Sequence, residues 1–228
     1  KDKFFSIIAH DLKNPFFGFL ELSKLLSKDL HKLSVKELSV SINELYSSSK
    51  NLFRLLENLL EWSRTQTGNI TYNPEFYNLR QIIELSTDLF KNTLNSKDIK
   101  LEIDCDEKLQ IICDAKITET IIRNLTSNAI KFSYAGGKIR IFVTEQENHI
   151  SVSVEDNGIG IPEDAVGKLF VLDESFTTDG TENEKGTGLG LVLCQELVQI
   201  QNGTIKVESK SNEGATFTFT IPKVKEAS

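Results

Sequence analysis

The sequence contains no methionine, a single tryptophan and only four prolines. No apolar run approaches the length of a membrane span, and no signal peptide opens the chain. With no initiator residue and a helical pattern already under way at its start, it reads as a portion of something longer, attached to any membrane only through segments outside it. Cys105, Cys113 and Cys194 are odd in number, scattered and in no metal-ligand spacing, which argues against a disulfide framework or a zinc site and reads as reduced thiols of a cytosolic protein. There is no basic tract. Against 26 basic residues stand 33 acidic ones, and the net charge of -7 argues against a nucleic-acid binder and toward proteins or nucleotides as partners. What is present is an ordinary globular composition, 39% hydrophobic over 228 residues, a length that suits two domains.

The first of these is helical. Phe5, Ile8, Leu12, Phe19, Leu22 and Leu26 recur in steps of three and four, with Pro15 at the missing position, and predict a helix to about Leu30. After a break within 31–35, with Ser34 as a cap, Leu38, Ile42, Leu45, Leu52, Leu56 and Leu59 predict a second helix with Ser49 on its seam, ending near Gly68. Residues 1–68 are therefore expected to form a helical hairpin. One hairpin has too little to bury its two apolar faces against, so two copies should pair as a homodimeric four-helix bundle. On this register His10 points to solvent. A neutral imidazole is nucleophilic at its unprotonated nitrogen, Asp11 is placed to take the proton from the other, and Asn14 lies one turn on along the same face. Taken alone, this segment reads more readily as an ordinary surface histidine on a charged helix face.

Residues 69–77, with Pro74, read as an extended linker, and 78–228 as a second domain. Helices are expected over 79–94 and 117–132. Strands are expected over 99–105, 110–113, 137–144, 149–155, 203–209 and 215–221, the last four forming two hairpins. Helices followed by adjacent hairpins suggest an α/β sandwich with helices on one side of a mixed sheet, an α+β chain overall. The other side of that sheet is expected to need cover from the linker or the bundle.

Four segments of this domain carry candidate chemistry. Asn124 and Asn128 share one helix face, where their carboxamides suit either a hard cation such as Mg²⁺ or loop capping, and Lys131 adds a positive charge one turn on. Asp156-Asn157-Gly158-Ile159-Gly160 follows a strand. Asp156 can accept the amino group of adenine while Gly158 and Gly160 let the backbone pass close to a flat base, although the same residues also suit a plain turn. Gly186-Thr187-Gly188-Leu189-Gly190 opens a helix whose N-terminus favours phosphate, weak evidence on its own. A polar stretch from Val171 to Lys185, bounded by Phe170 and Phe176, has the length of a lid. In the last hairpin the Thr216 hydroxyl is a candidate contact to the base, or part of a tight turn. Neither the P-loop nor the protein-kinase set of motifs occurs.

Taken in order, the His10 segment, the Asn124/Asn128 helix, Asp156–Gly160, Phe170 with Phe176, and Gly186–Gly190 resemble the H, N, G1, F and G2 boxes of sensor histidine kinases. The resemblance covers almost the whole chain. It implies a dimerisation and histidine-phosphotransfer hairpin followed by a catalytic ATP-binding domain of the Bergerat type, in the GHKL superfamily. It further implies His10 as phosphoacceptor with Asp11 as its base, and Asn14 at the position associated with dephosphorylating the partner regulator. Asn128 would hold Mg²⁺, Asp156 would select adenine, and Asn124 and Lys131 would face the phosphates. The implied reaction consumes ATP and passes phosphate from His10 to an aspartate of a response regulator, in the cytoplasmic portion of a membrane-anchored receptor. A hydrolytic ATPase of the same superfamily would need a glutamate four residues before Asn128, where this chain has Asn124.

Overall fold

The computed structural model describes residues 2–29, 32–66, 71–171, 178–182, 184 and 188–223. For 2–12, 14, 15, 29, 51, 54, 58, 61, 62 and 64–66 only the helical backbone is described. The chain divides into two compact units, Lys1–Gln66 and Thr67–Ser228.

The first unit is a pair of helices, α1 (Asp2–Asp29) and α2 (Val35–Gln66). The start of α2 is written in a reciprocal capping box. Ser34 Oγ accepts the Glu37 N–H at 3.3 Å, and a Glu37 carboxylate oxygen accepts the Ser34 N–H at 2.8 Å. Among the described side chains of α2, Ser41 and Leu55 are buried, with Leu38, Leu45, Leu52 and Leu59 half-buried. Ile42 and Leu56, expected on the same seam, are instead 51% and 46% exposed. Together with Tyr46, Phe53 and Leu60 they form a second stripe at steps of three, four and seven, facing away from α1. Phe16, Phe17 and Leu20 add a matching exposed patch on α1.

The second unit opens with β1 (Glu75–Asn78), which pairs antiparallel with β3 (Gln110–Cys113). Residues 75–77, expected in the linker, thus belong to this unit. The continuous helix expected over 79–94 is two, α3 (Leu79–Asp88) and α4 (Lys91–Ser96). In the last turn of α3 the Ser86 and Thr87 hydroxyls donate back to the Ile82 and Ile83 carbonyls at 2.7 and 2.9 Å, a pattern that weakens and bends helices. The remaining elements are β2 (Lys100–Asp104), α5 (Ala115–Phe132), β4 (Lys138–Glu145), β5 (His149–Asp156), the short α6 (Glu163–Val166), α7 (Leu189–Ile200), β6 (Ile205–Lys210) and β7 (Gly214–Pro222).

Five strands form one sheet in the order β2-β4-β5-β7-β6, parallel between β2 and β4 and antiparallel elsewhere. Alternation sorts its two faces. Ile139, Ile141, Val152, Val154, Phe217, Phe219 and Ile221 point to the side covered by α5 and α7 and are 6% exposed or less. They meet Ile121, Ile122, Leu125, Leu193 and Leu197 from the helices, none above 1% exposed. Each such side chain contributes on the order of 2 kcal/mol. The other face is largely polar, with Phe142 opposite Ser153 upon it. It is paved with Glu102, Arg140, Ser151, Ser153, Thr218, Thr220 and Lys206, and Ser153 and Thr218 join their hydroxyls across strands at 2.8 Å.

Candidate functional site

The site grows from α5. Asp114 caps its N-terminus, accepting the Ile117 N–H at 3.2 Å and, through its other oxygen, the Asn73 N–H at 3.0 Å. Its apolar face is fully buried, which fixes its rotation and leaves Asn124 and Asn128 half-buried at its margin. The Asn124 amide donates to Thr120 O at 2.9 Å, so its oxygen turns the other way, toward the first turn of α7. A Cβ on Gly190 would sit 3.1 Å from that oxygen. Asn128 makes no side-chain hydrogen bond among the described residues and keeps its carboxamide available. The Lys131 ammonium lies over the Phe132 ring at 4.4 Å and donates to Thr178 O at 2.9 Å, so it is committed to the polar stretch beyond Phe170.

The C-terminal end of α5 meets the loop after β5. Ile159 N donates to Phe132 O at 3.1 Å, and a Cβ on Gly158 would fall 2.0 Å from the same oxygen, so only glycine permits this approach. The other flank of the loop rests on the last hairpin, through Asn212 N to Ile159 O at 2.7 Å and Ile161 N to Ser209 Oγ at 2.9 Å. Asp156, at the end of β5, is 6% exposed. Its carboxylate accepts the Gly158 N–H at 2.9 Å and the Ala215 backbone N–H. Burial outweighs both bonds and pushes its pKa up to about 6. A carboxylate has roughly four lone-pair sites, so acceptor capacity remains.

Gly188 stands at the N-cap of α7 in a left-handed conformation, φ 66°, and Leu189 and Gly190 form the first helical turn. Phe170 is half-buried beyond α6. Two contacts bring these segments together: Asn124 meets Gly190 in the first turn of α7, and the loop that carries Gly158 and Ile159 meets the end of α5 at Phe132, next to Lys131. Gly186, Thr187 and Phe176 lie outside the described residues. So do the side chains of His10, Asp11 and Asn14, whose backbone belongs to α1.

Thr216 is not part of these contacts. It pairs with Glu155 on the outward face of the sheet, while Ala215 pairs with Asp156 on the inward one. The expected hydroxyl contact to the base is corrected by strand alternation, and what β7 brings to Asp156 is the Ala215 N–H. Sequence reading also passed over Lys97 and Glu184, which are joined at 3.0 Å. Nothing in Ser96-Lys97-Asp98 distinguishes this lysine from Lys91 or Lys100 in the same stretch.

This donor set fits an adenine nucleotide. A buried carboxylate with spare acceptors suits an exocyclic amine, an available carboxamide suits a hard cation, and a helix N-terminus suits phosphate. The comparisons agree. Residues 1–68 match the His Kinase A (phospho-acceptor) domain, and residues 113–225 match the histidine kinase-, DNA gyrase B-, and HSP90-like ATPase family. The sensor protein KdpD of Clostridium acetobutylicum is 29% identical over 219 residues, covering 95% of this chain and 24% of that protein. The sensor histidine kinase WalK of Bacillus subtilis is 31% identical over 237 residues, covering 96% and 36%. The chain thus spans well under half the length of these relatives. Among solved structures, the catalytic domain of the histidine kinase ThkA is 31% identical, with a TM-score of 0.58 over 66% of this chain and 96% of that one. ThkA in complex with the response regulator protein TrrA shares the fold, at 24% identity and a TM-score of 0.77 over 99% and 63%. With two family models matched in succession along it, the chain belongs to the sensor histidine kinases of two-component systems, within the GHKL superfamily.

Proposed function

We propose that this chain phosphorylates itself on His10 at the expense of ATP and passes the phosphoryl group to an aspartate of a response regulator. The observation that supports the reading is the buried Asp156 carboxylate, followed by a loop that docks on the end of the helix carrying Asn124 and Asn128, while Asn124 meets the first turn of α7. Asp156 would accept the adenine amine, Gly158 and Gly160 would let the base lie close to the backbone, and Asn128 would hold Mg²⁺. Phe170, Gly186, Thr187, Leu189 and Gly190 would line the remainder. Bound ATP supplies the transferable phosphoryl group, and phosphoryl transfer asks mainly for alignment and charge neutralisation from the protein. His10 contributes a neutral imidazole nitrogen that bonds to the γ-phosphorus as the bond to ADP breaks, while Asp11 draws the proton from the other nitrogen. Asn14 would orient water for the reverse task of dephosphorylating the regulator. Asn124 in place of a water-activating glutamate favours transfer to a side chain over hydrolysis.

Two chains would pair through α1 and α2. The exposed stripe of Ile42, Tyr46, Phe53, Leu56 and Leu60 supports this, since a lone hairpin leaves it in water. Membrane attachment would come only from segments outside this sequence.

The test is incubation with Mg²⁺ and γ-labelled ATP, for the chain and its His10→Ala variant. Acid-labile label on the chain, absent from the variant, is expected. Label persisting in the variant, or none on the chain despite tight nucleotide binding, refutes the reading.

A further inference from the structure

The side chain of Lys97, directly after α4, is only 2% exposed, an unusual position for a lysine, and its ammonium has three protons to place. Two go to the C-terminal end of α5, to Ile130 O at 3.0 Å and Lys131 O at 3.3 Å, carbonyls at the negative end of the helix dipole. The third goes to Glu184 at 3.0 Å, its counter-charge among the described residues. Glu184 comes from the polar stretch between Phe170 and Gly186. The buried cation on the body of the domain is therefore neutralised from that stretch.

Three further contacts act at the same place. Thr181 donates from its N–H to Lys131 O at 3.1 Å and from its hydroxyl to Ser133 O at 2.7 Å. Lys131 returns a hydrogen bond to Thr178 O at 2.9 Å. The stretch also closes on itself, with Gly180 N donating to Glu184 O at 2.8 Å and Glu182 N to the other Glu184 carboxylate oxygen at 2.8 Å. A Cβ on Gly180 would lie 2.6 Å from Lys131 Cγ, so glycine is required for this closeness. The attachments to α5 fall on its last turn, at Ile130, Lys131 and Ser133, about one turn beyond Asn128 and two beyond Asn124.

We propose that Lys97 and Glu184 are positioning residues for the nucleotide reaction: their ion pair docks residues 178–182 and 184 on the end of α5, so that both approach the triphosphate as one preorganised unit. This rests on the nucleotide reading above. Neither residue touches the reacting atoms. Their contribution is to spare the bound state the entropy of ordering that stretch.

The informative variant is Glu184→Gln, at a partly exposed position where the change removes a charge and leaves the shape. Gly180→Ala disturbs the same docking without altering charge. Hydrogen exchange at the amides of Gly180, Thr181 and Glu182 is measured without nucleotide, alongside affinity for a β,γ-imido analogue of ATP with Mg²⁺. Both variants are expected to exchange at least tenfold faster there, with β5 and β7 unchanged, and to bind the analogue at least fivefold more weakly. In the labelling reaction the loss should appear in KM for ATP more than in kcat. Unchanged exchange in Glu184→Gln overturns the proposal, and so does faster exchange with unchanged affinity, which would reduce the pair to a structural tie. If the unaltered chain does not bind the analogue, the nucleotide reading fails and takes this one with it. Equal binding by chain and variants defeats only the positioning role.

Discussion

On the proposed nucleotide reading, Asp156 couples recognition to folding. Its ordinary pKa is 3.8, and burial raises it to about 6 in the folded chain. Between those values the folded state holds a proton that the unfolded state has released, so stability falls as pH rises through that window. Keeping the carboxylate charged at neutral pH costs on the order of 3 kcal/mol. The stability gap between the chain and its Asp156→Asn variant is therefore expected to move in the variant's favour by about 2 kcal/mol from pH 4 to pH 7, as read by denaturant unfolding. Over the same range the chain should gain affinity for an adenine nucleotide as the carboxylate ionises, and the variant should show no such gain. A parallel pH course for the two proteins would remove the carboxylate from the role. Asp156 was legible in the sequence because Asp-Asn-Gly-Ile-Gly ends a strand and stands out. Thr216 misled because its hydroxyl looks well suited to a base, whereas which face it occupies depends on a register with β5 that only the sheet reveals.

At the level of elements, legibility followed periodicity. The long helices, the hairpin strands and α5 were readable because their apolar spacing repeats over several turns or residue pairs. What was missed carries no repeat of its own. β1 exists because β3 pairs with it, and the break after α3 falls where Ser86 and Thr87 bond back to their own helix, a bond that Ser49 also makes inside the unbroken α2. The α1–α2 connection shows the legible case, since Ser34 and Glu37 have the spacing of a capping box and form one. Ser34 hydrogen bonds hold the Glu37 carboxyl below its ordinary value, so the box weakens as pH falls into the carboxylate range. Ser34→Ala is expected to cost the helical unit about 1 kcal/mol, seen as a lower midpoint by circular dichroism at 222 nm, with the sheet unit unaffected. An unchanged midpoint would mean that the box does not contribute in solution.

The whole molecule is two units of unequal self-sufficiency. Thr67–Ser228 buries a continuous core between a sheet and two long helices, whereas Lys1–Gln66 leaves a full stripe of large apolar side chains in water. Heating the chain should therefore give two transitions. The helical one, followed by Trp62 fluorescence, should rise with protein concentration as pairing by mass action requires, and the sheet transition should not. A helical transition independent of concentration would argue against pairing through α1 and α2. The sheet itself carries a further consequence at its borders. Its outermost strands, β2 and β6, alternate Lys100, Glu102 and Asp104 on one side and Lys206, Glu208 and Lys210 on the other. A neighbouring strand adding to either border would have to stack charge on charge, which disfavours edge-to-edge aggregation and keeps this unit dispersed even when it is crowded at high local density.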